Sequence, residues 1–362
     1  MQFIQWRHQL RRLDSDRLVH SLKTAIALLF GLLISYLFKL PLQGRWVVIT
    51  ILVVMCAQSR VGAILQKSYM RFLGTVIGAS VASLTLWLVY PNVALTILIL
   101  CVATAVFSYI ADSPSTWSEA GPLGAVTLII IVISPDPNFY TVMSRFLEIN
   151  LGIIIALLVS RFIWPLHSLT QLRYILIDTI QNLKALAQKL EEFTFTNGDG
   201  NNTKLQEIFE NKILNNIGIQ KKLFKEVMSE SFGRSNLEET FKNILDAERE
   251  ILRCITLMRN ALMDFSDQNI LIFNQHAKIQ KVYQITQDLF QRSIDSLKSK
   301  DEDQTVEDLK EFSGWKKEIK LQLKSLEINQ SDQFALDLFI FSADRLLVQL
   351  QTLIILIKKV KK

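Results

Sequence analysis

Six long apolar runs lie within the first 165 residues, and they constrain the fold more than any other feature of the sequence. The apolar core of a bilayer is about 30 Å thick, and about 20 helical residues cross it. The runs approach or reach that length, and they are 22–38, 46–57, 72–89, 93–111, 122–134 and 146–164. The sequence therefore predicts an all-α protein that begins with a six-span transmembrane helical bundle.

The second and fifth of these runs are shorter than the others. The second reaches a spanning length if it continues to Leu65, although it then takes in Gln58 and Arg60. The fifth follows the pair Gly121-Pro122 and is either a complete crossing or a broken, partly re-entrant helix. Six spans remain the prediction.

Charge is distributed unevenly along the chain. There are 12 Lys and Arg against 6 Asp and Glu up to Leu166, and 28 of each beyond it. The positive balance of the apolar part is typical of membrane topology, with nine cationic residues flanking one set of helix ends and three the other. This bias predicts that both termini are cytoplasmic. No basic stripe is interleaved with aromatic residues, so no nucleic-acid partner is expected.

From His167 onward, apolar residues recur at spacings of three and four between charged residues. This pattern predicts amphipathic helices at about 168–193, 204–231, 236–266, 273–299, 303–326 and 331–360. The last of these is almost apolar enough to span, but Asp337, Asp344 and Arg345 interrupt it, so a helix buried in the bundle is the better interpretation. We therefore expect two domains, a transmembrane domain in the lipid bilayer at 1–166 and a cytoplasmic helical bundle at 167–362.

Groups that carry catalytic chemistry are sparse and scattered. The three cysteines and four histidines do not fall at metal-ligand or redox spacing. The sequence contains no phosphate-binding loop, zinc-protease motif or nucleophile elbow. We expect no enzyme activity, no metal and no cofactor.

Stripes of small residues mark the packing faces of the predicted spans. Gly74 and Gly78 share a stripe on the third span with Arg71, which is either a topology anchor or part of a water-facing surface. A looser stripe on the first span begins at Lys23. On the sixth span, Gly152 shares a sector with the ionisable residues discussed next, and all three glycines are predicted helix-packing residues.

The sixth span carries a carboxylate inside an apolar run. Helical geometry places Arg145, Glu148 and Gly152 in one sector, with Leu147 and Ile154 turned elsewhere. Glu148 is therefore predicted to point into the bundle, where Arg145 at the i−3 position neutralises it.

Two segments carry a family resemblance. These are LPLQGRWVVITILVVMCAQSRVGAILQKSYMRFLGTVIGA at 40–79 and RFLEINLGIIIALLVSRFIWP at 145–165. They resemble the fusaric acid resistance and aromatic acid exporter family, whose pattern falls on Trp46, Thr50, Gly62, Arg71, Gly74, Thr75, Gly78 and Ala79. The arrangement from Lys67 to Thr75 is also similar to that of the plant aluminium-activated malate transporters.

The resemblance implies a function, a location and an assembly. It implies export of organic anions, often aromatic carboxylates, across the bacterial inner membrane at the expense of the proton gradient. Many family members carry two six-span repeats, whereas this sequence carries one, which implies a homodimer. A passive anion channel of the malate-transporter type, or a membrane-anchored scaffold or sensor, are the alternatives.

An anionic substrate requires cationic groups along its route, and proton coupling requires a carboxylate that can titrate. The residues expected to bind substrate are Lys23, Arg45, Trp46, Arg71 and Arg145. Those expected to couple protons are Glu148, Asp112 and Glu119, with Glu148 as the first choice.

Overall fold

The structure is a computed structural model, and it describes residues 2–56, 59–89, 91–114, 117–193, 200–231, 235–264, 273, 276–298 and 330–361. Within these ranges the protein consists of eleven α-helices, one short 3-10 helix and connecting turns, without a β-strand. The all-α prediction is confirmed for this part of the chain. The chain divides into two compact units, the first Met1–Ser168 with Ser229–Phe232, the second Leu169–Met228 with Gly233–Lys362.

The first unit contains six apolar helices at the predicted places. They are α1 (Gln2–Leu37), α2 (Arg45–Met55), α3 (Val61–Leu88), α4 (Val93–Ala111), α5 (Ala120–Val132) and α6 (Phe139–Phe162). The part of α1 from Asp16 to Leu37, and the whole of α3, α4 and α6, are long and apolar enough to cross a membrane. The helices α2 and α5 have 11 and 13 residues, which corresponds to about 16 and 20 Å. They are shorter than a full crossing requires.

Three helices begin well before the predicted apolar runs, and the first of them, α1, begins at Gln2 rather than at 22. The helix α3 begins at Val61 rather than at 72, so the proposed lengthening of the second run to Leu65 is wrong, because those residues belong to α3. A carboxylate oxygen of Glu230 accepts a hydrogen bond from the backbone N–H of Gly62 at 2.8 Å and stabilises this earlier start. The helix α6 begins at Phe139 rather than at 146, because Asn138 caps it by accepting from Thr141 N–H at 2.8 Å.

The helix α5 is continuous from Ala120 to Val132. Pro122 lies in its first turn, where a backbone N–H would have no partner within the helix, so proline is tolerated there. The alternative of a helix broken at this proline is therefore wrong.

Glycines hold the helices of the first unit together at close range. A Cβ atom on Gly74 would lie 2.8 Å from the carbonyl oxygen of Ala120, and one on Gly78 would overlap the carbonyl oxygen of Gly124. On the other side of the unit, a Cβ atom on Gly152 would lie 2.7 Å from the carbonyl oxygen of Val47. The backbones of α3 and α5, and of α2 and α6, therefore touch, as small residues permit in membrane bundles.

The contacts also fix helix directions. Arg145 lies over Trp46 and Gly152 lies against Thr50, so α2 and α6 begin at one end of the unit, which we call the Trp46 end. The backbone N–H of Val61 donates to the carbonyl of Leu166 at 3.1 Å, so α3 begins where α6 has ended. We call this opposite end the Val61 end.

The second unit contains amphipathic helices around one apolar core. It comprises nearly all of α7 (Ser168–Phe193) and α8 (Gly200–Glu230), together with α9 (Ser235–Met263), α10 (Ala277–Lys298) and α11 (Gln330–Lys361). Most of these helices begin and end within a few residues of the predicted positions. The helix predicted at 303–326 lies outside the described residues. The core is formed by the i, i+4 series predicted from the sequence, such as Leu172, Leu176 and Ile180.

The helix α11 meets the length and composition of a membrane span. Its apolar residues nevertheless lie in the core of the second unit, where Phe339 packs edge-on against Phe273 with ring centroids 4.9 Å apart. Arg345 Nε donates to Glu250 on α9 at 2.6 Å. The helix is thus a member of this bundle, as the sequence predicts.

A polar cluster interrupts the core of the second unit. The Gln220 amide nitrogen donates to the Thr179 hydroxyl at 2.8 Å and to the Glu248 carboxylate at 3.2 Å, which joins α7, α8 and α9. All three side chains are buried. Burial raises the pKa of the Glu248 carboxyl to about 8, although the hydrogen bond from Gln220 and the charge of Arg249 act in the opposite direction.

The space around each glycine predicts whether a substitution by alanine lowers or raises the free energy of unfolding. Gly78→Ala places a methyl group on the Gly124 carbonyl and should destabilise the protein, with a cost of about 1–3 kcal/mol for such overpacking. Gly218 lies in α8 with open space around it, so Gly218→Ala should be neutral or stabilising by up to about 1 kcal/mol. Thermal unfolding of the full-length protein in detergent measures both. A Gly78→Ala protein as stable as the wild type would contradict the contact.

The Glu248 cluster predicts a pH dependence. Because the folded pKa lies above the unfolded one, the stability contributed by the neutral carboxyl is complete below the unfolded pKa. It is lost as pH rises towards about 8. The loss amounts to about 1.4 kcal/mol per pH unit within that window.

Glu248→Gln should remove this dependence, so that the variant gains stability over the wild type between pH 5.5 and 8. The exposed Glu239→Gln on the same helix should keep the wild-type profile. Amide hydrogen exchange in α9, corrected for intrinsic rates, reports the opening free energy. Equal slopes for Glu248→Gln and the wild type would refute the assignment.

Candidate functional site

Buried ionisable side chains are few in the described part of the first unit. Lys23 is 0% exposed, Arg71 1%, Glu148 2% and Arg145 6%. Charged groups are costly at membrane depth unless they are paired or serve a function. These four residues are therefore the natural starting point for a functional site.

The pair at the Trp46 end is ordered by three contacts. Arg145 Nη1 donates to Glu148 Oε2 at 3.1 Å, one helical turn apart on α6. The Arg145 guanidinium also lies 5.4 Å from the centroid of the Trp46 ring on α2, a cation–π distance. Gly152, one turn further along α6, brings the two helices close enough for both contacts. The inward orientation of Glu148 is the one predicted from helical geometry.

This pair leaves hydrogen-bonding capacity unused. Glu148 Oε1 and Arg145 Nε are buried without a hydrogen-bond partner, as is the hydroxyl of Thr50 on the facing helix. A buried polar atom without a partner costs free energy, so such atoms mark a place where another group can bind. The arrangement can hold a proton on Glu148 and can offer donors to an anion.

The other two buried cations are at the Val61 end. Lys23 lies one turn after His20, which is placed against the backbone of Cys56 beyond the last residue of α2. Arg71 lies on α3 in the same stripe as Gly74 and Gly78. Lys23 Nζ and Arg71 Nε have no hydrogen-bond partner. Unlike Arg145, neither has a carboxylate in contact within the part of the chain that the structure describes.

The remaining predicted site residues are half-buried or exposed. Arg45, the first residue of α2, is exposed, and Trp46 is half-buried. Asp112 follows α4 and Glu119 precedes α5, and both are exposed in the turn between these helices. The structure thus brings together Trp46, Arg145 and Glu148, but it does not bring Asp112 or Glu119 into the same cluster.

Three buried hydroxyls were not among the predicted site residues. Serine and threonine in helices commonly donate to the carbonyl four residues earlier, as Thr75 does to Arg71 at 2.7 Å. The hydroxyls of Thr50, Ser68 and Ser160 make no such bond and have no other partner. A signal exists in the sequence, because Ser68 precedes Arg71 by three residues and Ser160 continues the stripe of Gly152 at i+4 spacing. Among the described residues, no group of three His, Cys, Asp or Glu side chains could hold a metal ion.

Comparison with known proteins places this arrangement in a family. The model of the fusaric acid resistance protein family matches residues 17–210. The inner membrane protein YeeA of Escherichia coli K12 is 31% identical over 151 residues, which cover 41% of each chain. The p-hydroxybenzoic acid efflux pump subunit AaeB of Edwardsiella ictaluri is 31% identical over 161 residues, covering 41% of this chain and 25% of the other.

Each of these two matches therefore covers less than half the length of the relative. The family match extends over more than half of the present chain and includes α2 to α6 and the apolar part of α1 from residue 17 onward. With its apolar helices long enough to cross a bilayer, this is a multi-pass membrane protein. The chain belongs to the fusaric acid resistance protein family.

Proposed function

We propose that the protein exports organic anions, aromatic carboxylates among them, across the bacterial inner membrane, driven by the proton gradient. The observation that carries the proposal is the buried Arg145–Glu148 pair, in which one carboxylate oxygen is hydrogen-bonded and the other has no partner. A carboxylate in such surroundings can take up and release a proton during a transport cycle. Family membership and the names of the two relatives support membrane location and efflux.

The cationic side chains support an anionic substrate. Three of the four buried ionisable groups in the described part of the first unit are positive, and only Arg145 is matched by a carboxylate. An anion that passes Lys23 and Arg71 supplies the missing counter-charge, because its carboxylate can accept from both. Arg45, exposed at the start of α2, can attract anions at the Trp46 end.

An aromatic substrate is supported by Trp46 and by the relative AaeB, which is named for p-hydroxybenzoic acid efflux. The half-buried Trp46 ring already lies against a guanidinium, so an aromatic carboxylate could stack on the ring while it contacts Arg145. Three carboxylates are predicted to couple protons, and we assign proton coupling to Glu148. The side chains of Asp112 and Glu119 are exposed on the surface of the unit.

The charge pattern predicts both termini on the cytoplasmic side, and we retain that orientation. The Val61 end then faces the cytoplasm, where α2 and α6 end and α3 begins. Substrate would enter there and leave at the Trp46 end.

Substitution of Glu148 tests the proposal. Glu148→Gln keeps the shape of the side chain but cannot release a proton, so pH-driven transport of p-hydroxybenzoate into or out of proteoliposomes should fall to the level of empty liposomes. Asp136→Asn, an exposed carboxylate in the turn before α6, is the matched control and should retain wild-type flux. Size-exclusion chromatography checks that both variants are folded.

The same experiment separates the exporter from a passive anion channel, in which Arg145–Glu148 would be a structural ion pair only. A channel would conduct p-hydroxybenzoate without a pH gradient, and Glu148→Gln would leave the pH dependence of flux unchanged. Either result would remove Glu148 from the proton pathway.

We also propose a homodimer. The resemblance implies that many members carry two six-helix repeats, whereas this chain has the single set α1–α6. Native mass spectrometry of the protein in nanodiscs should give twice the chain mass. A monomer that still transports would contradict the homodimer without affecting the role of Glu148.

A further inference from the structure

The Val61 end of the first unit contains a group of buried donors, of which the proposed function accounts only for the two cations. Lys23 Nζ, Arg71 Nε and the hydroxyls of Ser68 and Ser160 are all buried without a hydrogen-bond partner. Each of the four residues is at least nine-tenths buried. They come from three different helices, α1, α3 and α6.

Three observations place these residues at the same end of the unit. Lys23 is one turn from His20, which lies against the backbone of Cys56 after the end of α2. Ser160 is in the last turn of α6, and the chain that follows it reaches the first residue of α3 through the bond from Val61 to Leu166. Ser68 lies in the second turn of α3.

Packing directs the three helices towards a common interior. The helix α6 packs against both α1 and α3. On α3, Ser68 and Arg71 are three residues apart and therefore lie on one face. On α6, Ser160 continues the buried series that includes Gly152 and Ala156. The helices that carry the other three side chains thus both pack against the helix that carries Ser160.

Together the four side chains offer hydrogen-bond donors and two positive charges, and none of them carries a negative charge. An ammonium supplies three donors, a guanidinium supplies N–H groups in a fixed plane, and each hydroxyl can add one more. At this end the carboxylate of Glu230 is already engaged, because its Oε1 accepts from the backbone N–H groups of Gly62 and Ser168 at 2.8 and 3.0 Å. Asp112 and Glu119, in the turn before α5, are also at this end, but their side chains are exposed. Among the described residues these donors have no acceptor, and the carboxylate of an external anion can supply one.

We propose that Lys23, Ser68, Arg71 and Ser160 form a binding site for the carboxylate group of an organic anion at the Val61 end. The proposal rests on the proposed function, because this site is the one at which the exporter loads its substrate. What is new is the role of the two serines, which position the bound carboxylate. Charge-assisted hydrogen bonds from an ammonium and a guanidinium hold the two oxygens, and the serine hydroxyls orient them. The Trp46 end differs, because its arginine is already compensated by Glu148.

Binding of benzoate without any gradient tests the site. The full-length protein is placed in nanodiscs of phosphatidylcholine, and benzoate binding is measured by isothermal titration calorimetry. Lys23→Gln should weaken binding by about tenfold or more, and Ser68→Ala and Ser160→Ala by about tenfold to a hundredfold each, as expected for hydrogen bonds to a charged group. The two serine variants remove one oxygen each, so they test the site even if Lys23→Gln does not fold.

Two matched controls are available. Arg161→Gln removes a positive charge next to Ser160 on the exposed side of α6. Ser80→Ala removes an exposed hydroxyl of α3 that donates to the Val76 carbonyl. Both should bind benzoate as the wild type does. If Arg161→Gln weakens binding as much as Lys23→Gln, the effect is general surface charge, and the proposal is overturned.

The outcomes distinguish this proposal from the exporter itself. If p-hydroxybenzoate is transported but benzoate binding is insensitive to Lys23, Ser68 and Ser160, the site is wrong and the exporter stands. If benzoate binds at these residues but no flux is observed, the site stands and the exporter fails. If phosphatidylglycerol in the nanodiscs abolishes benzoate binding, the donors serve a lipid phosphate, and the carboxylate site is overturned.

Discussion

Direct backbone contact at glycine is the interaction on which the rest of the first unit depends. Lipid provides no hydrophobic drive between helices, so they associate through close van der Waals packing and polar contacts. Gly74 and Gly78 allow α3 to touch α5, and Gly152 allows α6 to touch α2. The contact at Gly152 in turn sets the distance from Arg145 to the Trp46 ring. A side chain at this glycine would therefore separate the helices and the groups of the candidate site together.

Hydropathy and packing give different answers for three helices, and both answers have a physical basis. The helices α2 and α5 are apolar but short, and their buried residues lie among longer neighbours in the first unit. The helix α11 is long and apolar, yet its apolar residues fill the core of the second unit. Hydropathy measures how much apolar surface a helix has. Whether that surface belongs to a protein core depends on which faces of the helix pack against other helices. Length and composition therefore identify helices that are able to span, and packing identifies where their surface is buried.

Local periodicity predicted much of this arrangement, and its failures have specific causes. The face of α6 that carries Arg145 and Glu148 follows from 3.6-residue geometry alone, so the sequence was sufficient to predict it. The start of α3 could not be predicted locally, because its cap is Glu230, 168 residues away from Gly62. The hydroxyls of Ser68 and Ser160 were overlooked because such groups usually bond to their own helix, and only the structure shows that these two do not.

The two ends of the first unit differ in how their positive charge is balanced, and this difference bears on the direction of transport. At the Val61 end, no carboxylate of the described residues contacts Lys23 or Arg71, so an anion bound there would face positive charge that has no contacting counter-ion. At the Trp46 end, Glu148 already neutralises much of the Arg145 charge, so the same anion would be held less tightly. In the low-dielectric interior this difference is larger than it would be in water. In the proposed exporter, moving an anion from the Val61 end to the Trp46 end therefore costs the difference in binding free energy between the two ends, and the proton gradient would supply it. Weaker binding at the Trp46 end would then allow the anion to dissociate there.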